Sequence, residues 1–449
     1  MRTSGLTRQA LRRHRWALLG PACTQTVSAA VISMMIMTAM SVDRSPLSAA
    51  DRGSRPVVEL LDTTSVFIGV SVYMSILVVG VTMNLAMGRQ LHDVAVLRAI
   101  GASPGQVRRS TARQAAVIAV PASVVGFLLA VPVGALWVAA LRVHDVVPDA
   151  VRFTPHVLAL PVALGVELAT SLGGAFLAAV RTSRMRPAAA LTETATGRRD
   201  VRPVRTTFGL VLVAAGVVLS AVLAGVAPEQ AGDAAFFVML AECVGVGMLG
   251  PLVLGAVAGM VRPVTRRGLA RIALEDLATM TRALSGALVP LVLATAFAAV
   301  KVASHTTAAR VTGIADTAVD RWTDYSGTAV YCVFAAVAAL TCFITVLVGR
   351  RGALATIQLT GATRQQIVRL VALQTVVVAA TALVLAAAVA GATLLPVLHT
   401  SLGVWLPYVP PAVVAAGVVL VGAVVAAGMV VPAAVMTRRP PVEVVRIAT

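Results

Sequence analysis

The sequence predicts an all-α integral membrane protein, with about ten transmembrane helices in two parallel four-helix repeats plus an inserted two-helix hairpin. Three observations lead there. Apolar residues make up 58% of the 449, only 12% are charged and the mean hydropathy is +0.89, values outside the range of soluble domains. The apolar residues collect in runs of about 20 or more, the length a helix needs to cross a bilayer. And one short polar motif occurs twice, near residues 96–109 and 356–369, each time between two such runs.

Ten runs can be drawn along the chain. They lie at about 16–40, 65–87, 115–141, 157–180, 207–226, 235–261, 283–303, 327–348, 371–397 and 411–435. Ala, Val, Leu and Gly dominate them and aromatic residues are few, which favours helices over a barrel; a helix also satisfies all its backbone polar groups within itself. The segments joining runs two and three, four and five, six and seven, and eight and nine, together with both termini, hold 29 of the 37 Lys and Arg residues. By the positive-inside rule these are the cytoplasmic segments, so both termini face the cytoplasm of a cell membrane. The net charge of +18 is then a topology signal and an attraction to anionic lipid headgroups rather than a nucleic-acid footprint.

Small landmarks extend the repeat. Gly5, Leu6, Arg8, Ala10 and Leu11 match Gly268, Leu269, Arg271, Ala273 and Leu274, which predicts a short basic helix on the inner surface before the first and seventh spans. The motif Val96-Leu97-Arg98-Ala99-Ile100-Gly101-Ala102-Ser103 returns as Thr356-Ile357-Gln358-Leu359-Thr360-Gly361-Ala362-Thr363, with Gln106-Val107 and Gln366-Ile367 following. Arg184, Arg186, Pro187 and Leu191 resemble Arg438, Arg439, Pro440, Pro441 and Val445. These landmarks divide the chain into a first four-span repeat over 1–191, a linker with the hairpin over 192–262, and a second four-span repeat over 263–449. An even number of spans separates the repeats, so they run parallel through the membrane. The loops at about 41–64 and 304–326 read as the longest on the outer side, both polar and too short to bury a core of their own.

Within the first copy, Gly101-Ala102-Ser103-Pro104 breaks a helix and Pro104 starts the next. The second copy breaks at Gly361-Ala362-Thr363. Each is an exposed bend with a small-residue corner, and two of them read as two equivalent handles for one kind of partner. The competing reading is a plain turn between helices.

No enzyme is expected. The six histidines are scattered, the four cysteines fall inside apolar runs, and neither set has metal or disulfide spacing. Cys23 follows Leu19-Gly20-Pro21-Ala22, but the apolar run continues past it, as in an uncleaved span. Lys301 is the only lysine and follows Val300, so the chain has no Gly-Lys-Ser/Thr phosphate loop. Glu167 and Glu242 are carboxylates inside spans, candidates for a proton or substrate role or else paired structural residues. The small-residue stretches 165–174 and 386–391 suit close helix packing.

The pattern Asp93, Ala95, Leu97, Arg98, Gly101, Ala102, Ser103, Gln106 and Val107, leading into a span, resembles the FtsX-like, MacB-type permeases of ABC transporters. Arg184 to Leu191 is similar to that family's end-of-domain signature. The resemblance implies that the bends are coupling helices docked on cytoplasmic ATP-binding subunits, through Asp93 to Val107 in one copy and Gln358, Gly361, Ala362, Thr363, Gln366 and Ile367 in the other. It implies the permease of an ABC transporter, with ATP on the partner and no cofactor of its own. Two bends on one chain point to two ATPase copies, and the short outer loops to an amphipathic or lipid-like substrate that enters from the membrane for export or extraction. The Arg-for-Lys and Ala/Val bias points to a bacterial plasma membrane. The second copy departs from the pattern, with Ala353 in the acidic position and Gln358 in that of Arg98. The family's large extracytoplasmic domain is also missing from the expected loops. An ion-coupled secondary exporter and a non-transporting signal transmitter remain the alternatives.

Overall fold

The computed structural model describes residues 15–53, 55–89, 101, 103–184, 203–223, 228–263, 268–313 and 317–438. Its helices are α1 Arg15–Arg44, α2 Ala49–Arg52, α3 Arg55–Arg89, α4 Pro104–Val143, α5 Ala159–Arg184 and α6 Pro203–Leu223. They continue with α7 Pro228–Val261, α8 Leu269–Thr312, α9 Ala318–Val348, α10 Arg351–Leu359, α11 Arg364–Leu402 and α12 Pro411–Met436. No strand occurs among the described residues.

Nine of these helices are long and apolar enough to cross a membrane, and they account for every expected span but the second. That run lies in α3, where the described apolar stretch is Leu60–Tyr73. The all-α membrane fold is therefore as expected. Two local expectations are corrected. The basic segment at 268–274 is no separate surface helix, because α8 runs unbroken from Leu269 to Thr312. No glycine or proline stands between Leu274 and Thr281 to stop it. The polar loops at 41–64 and 304–326 are also largely helical, since α1, α3, α8 and α9 extend well beyond their apolar runs. The matching segment at 5–11 and the linker over 185–202 lie outside the described residues.

Prolines sit inside α1, α4, α7, α8, α11 and α12. Nearby hydroxyls bond the backbone around some of them: Thr24 Oγ1 donates to Gly20 O at 3.1 Å and Pro21 O at 2.9 Å, and Thr400 Oγ1 donates to Pro396 O at 3.1 Å. The carbonyl that Pro396 frees, Ala392 O, accepts from Ser220 Oγ of α6 at 3.0 Å, the kind of replacement donor that lets a membrane helix tolerate proline.

The chain forms two compact units. Unit 1 comprises residues 1–196 and 317–337; unit 2 comprises 197–316 and 338–449. In unit 1, α1 and α5 each pack against both α3 and α4, which closes a four-helix bundle. In unit 2, α11 is the central element, in contact with α6, α7, α8, α10 and α12.

Glycine decides the close approaches, but not in the stretches that composition singles out. A Cβ on Gly165 or Gly173 would meet nothing, and one on Gly391 only a leucine of its own helix. The tight contacts are elsewhere. A Cβ on Gly126 of α4 would lie 2.6 Å from Thr26 O and 2.9 Å from Ala30 N of α1, and Gly209 and Gly245 bring α6 and α7 together. Gly126→Val is therefore expected to push α1 and α4 apart and cost about 1–3 kcal/mol. Gly165→Ala, in open space within α5, should gain up to about 1 kcal/mol from helix propensity. Thermal unfolding in detergent checks the pair, with opposite shifts in Tm as the result.

Candidate functional site

The two bends are built alike. Gly101 and Gly361 both have φ +100, a region that excludes residues with a Cβ. A Cβ at either would meet no neighbour, so glycine is required here by backbone conformation and not by lack of space. Two residues later stands an extended N-cap, Ser103 at φ −73, ψ 152 and Thr363 at φ −72, ψ 155. Each N-cap hydroxyl accepts the backbone N–H of the glutamine three residues on, at 3.3 Å in both copies. That glutamine's Oε1 accepts the N-cap N–H in return, at 2.9 Å from Ser103 and 2.8 Å from Thr363. Reciprocal capping of this kind satisfies two of the donors that a helix start leaves unpaired.

The second bend is described on both sides. As α10 ends, Gly361 N–H donates to Gln358 O at 3.0 Å and Ala362 N–H to Ile357 O at 3.3 Å. These two bonds form a Schellman motif, and Thr363 follows at once as the cap of α11. Only Thr360, Gly361 and Ala362 separate one helix from the next cap. The corresponding part of the first bend, including Asp93, Leu97, Arg98 and Ala102, lies outside the described residues.

The remaining residues of the motif divide by exposure. Gly101, Ser103, Gln106, Gly361, Thr363 and Gln366 are exposed, whereas Val107 and Ile367 are buried and root the new helix in its unit. Leu359 at the tip of α10 is 52% exposed, an apolar side chain on a polar corner.

Three residues that the sequence does not single out hold α10 in place. Arg350, its N-cap residue, makes a two-pronged ion pair with Asp276 of α8, with Nη1 to Oδ2 at 2.6 Å. Gln374 of α11 donates through Nε2 to the same Asp276 Oδ2 at 2.8 Å and to Ala273 O at 3.1 Å. At the other end, Gln358 Nε2 donates to Thr437 O at 3.5 Å and Arg364 Nη2 to Ala434 O at 3.3 Å, both at the end of α12. Gln358, which stands where the first copy has Arg98, thus serves an internal anchor. One sequence signal was available: Gln114 and Gln374 each follow the capping glutamine by one repeat-matched interval, and both are buried.

The two intramembrane carboxylates belong to different units. Glu167 Oε2 accepts from Ser75 Oγ at 3.3 Å within unit 1. Glu242 Oε2 accepts from Thr393 Oγ1 at 3.2 Å within unit 2, and a Cβ on Gly216 would come within 2.4 Å of its Cγ. Among the described residues no group of three His, Cys, Asp or Glu side chains is arranged to hold a metal ion.

The Arg350–Asp276–Gln374 cluster makes a stability prediction. Asp276→Asn leaves the half-buried guanidinium without its counter-charge and is expected to cost about 1–3 kcal/mol. Adding Arg350→Met should recover part of that loss. A double-mutant cycle on thermal unfolding measures the coupling, which is expected to be clearly non-additive.

Residues 65–187 match the family described as FtsX-like permease C-terminal, a stretch that takes in most of α3, the first bend, α4 and α5. No curated protein matches the chain. Over residues 65–187 the chain is thus similar to the FtsX-like permeases, and its nine long apolar helices are those of a multi-pass membrane protein.

Proposed function

We propose that this protein is the membrane subunit of an ABC transporter and that each bend docks one copy of a cytoplasmic ATP-binding subunit. The observation that carries this reading is the identity of the two bends: a glycine at φ +100 in each, followed by the same reciprocal Ser/Thr–Gln cap. A turn that only reverses the chain does not need the same geometry twice, whereas two copies of one partner require two copies of one surface. The lone Lys301, outside any phosphate-loop pattern, supports ATP being bound on the partner. The distribution of Arg supports cytoplasmic bends and termini, and the Arg-for-Lys and Ala/Val bias supports a bacterial plasma membrane.

In this mechanism, ATP-driven closure of the two partners displaces the bends. The reciprocal caps stop each corner from unwinding, so the displacement passes into the helix it starts. α4 and α11 have 40 and 39 residues, each a rod of ~60 Å. Each can carry a movement at the cytoplasmic corner across the full bilayer. The long apolar faces of α4 and α12, with Leu128, Leu136, Val419 and Leu420 exposed, suit a lipid setting. An amphipathic or lipid-like substrate that enters from the membrane, for export or extraction, fits them best.

Co-expression with the ATP-binding subunit tests the docking. Leu359→Glu at the second bend, or Gly105→Trp beside the first, is expected to leave one ATPase per permease, and the two together none, with Tm unchanged. Two ATPases retained by the double variant would contradict the assignment.

A further inference from the structure

Unit 1 buries a cluster of polar atoms that its own hydrogen bonds do not satisfy. Glu167 of α5 is 0% exposed; Ser75 of α3 serves Oε2, while Oε1 has no partner. Ser75 Oγ also lies 3.2 Å from Thr170 Oγ1, one helical turn beyond Glu167. From α1, Ser28 lies beside the Glu167 carboxyl group. Gln25, one turn before Ser28 and on the same face, is 0% exposed with neither its amide oxygen nor its amide nitrogen partnered. Ser171, the fourth residue after Glu167, is likewise 0% exposed and unpartnered. Among the described residues no Arg or Lys pairs with Glu167.

Three helices of one bundle thus turn oxygen-bearing side chains toward a single carboxylate. A buried carboxylate without a counter-charge is strongly disfavoured, and so is each buried polar atom without a partner. We propose that the interior of unit 1 binds one small monovalent cation. Glu167 supplies the counter-charge, and the Gln25 amide oxygen with the hydroxyls of Ser28, Ser75 and Thr170 supplies neutral oxygen ligands.

The donor set selects the class of ion. All the proposed ligands are oxygens, which suits a hard cation. One carboxylate balances one positive charge, so a divalent ion would leave a net charge inside an apolar bundle. Full burial of Gln25 and Glu167 leaves no opening for an organic ammonium headgroup. A proton on Glu167 would neutralise the carboxyl and give it one hydrogen bond to donate, which serves a single acceptor, whereas a cation engages several of these oxygens at once. The bound ion would draw α1, α3 and α5 together, so unit 1 is more rigid when the site is filled. None of this depends on the docking of an ATPase.

The test is thermal unfolding of the purified full-length protein in detergent, titrated with sodium chloride against choline chloride at constant ionic strength. A ligand bound only by the folded state raises Tm in step with its concentration relative to Kd. The expected result is a sodium-dependent rise of several degrees that choline does not produce, lost in Glu167→Gln and kept in Glu242→Gln. Gln25→Leu should weaken the apparent sodium affinity by roughly tenfold or more. It also decides the matter if Glu167→Gln does not fold, because an unchanged sodium response in Gln25→Leu overturns the site. No response to sodium, lithium or potassium, a response equal to that of choline, a response to methylammonium alone, or one that survives Glu167→Gln overturns it as well.

Discussion

A bilayer offers the backbone no hydrogen-bond partner, so wherever this chain leaves a helix it must satisfy the exposed peptide groups from its own residues. That constraint accounts for helices of 26 to 44 residues through most of the described chain. At the two exposed bends the chain likewise meets its helix-end groups with its own residues instead of leaving them to solvent. At the second, the carbonyls of Ile357 and Gln358 take the N–H groups of Ala362 and Gly361, while Thr363 and Gln366 cap each other. One helix is closed and the next opened with almost no backbone left over. Glycine at φ +100 is the element that makes so short a corner sterically possible.

A corner closed in this way is stiff, and stiffness is what a force-transmitting element requires. Around the second bend, side chains extend the same logic. Arg350 and Gln374 converge on Asp276 at one end of α10, and Gln358 with Arg364 holds the last carbonyls of α12 at the other. The short helix is therefore tied to α8, α11 and α12 of its own unit. Gln358 replaces an arginine of the first copy and donates to Thr437 O from that position, so a lost charge coincides with an internal contact. Among the described residues the two corners share the glycine conformation and the reciprocal cap, and the departure at Gln358 falls on an internal anchor of the second bend.

Much of this was legible in the sequence, for definite reasons. A run of 20 apolar residues has few soluble alternatives, so the spans could be placed. Helix ends could not, because 304–312 contains no strong breaker and α8 continues through it. The corner was readable from Gly-Ala-Ser/Thr, and the role of Gln106 and Gln366 was available in the Ser/Thr-x-x-Gln spacing of a capping box. Asp276, Arg350 and Gln374 were not readable as a cluster, since they are distant in sequence and share no period. Composition also cannot tell which glycines face a neighbour: Gly126 does, Gly165 does not. Glu167 stands out in any reading of its span, but its partner Ser75 and its neighbour Ser28 look like ordinary small residues until the bundle brings them together.

The central claim, that both bends are contact surfaces for one kind of ATP-binding partner, is tested most directly by photocrosslinking in the membrane. A photoreactive residue placed at Gly105 or at Thr360, both exposed beside their glycine, should form an adduct with the co-expressed ATP-binding subunit. Leu136, exposed on the apolar face of α4, should form none. Adducts from both corners and none from position 136 are the predicted result. Absence of an adduct from either corner, or equal labelling from position 136, would contradict the account.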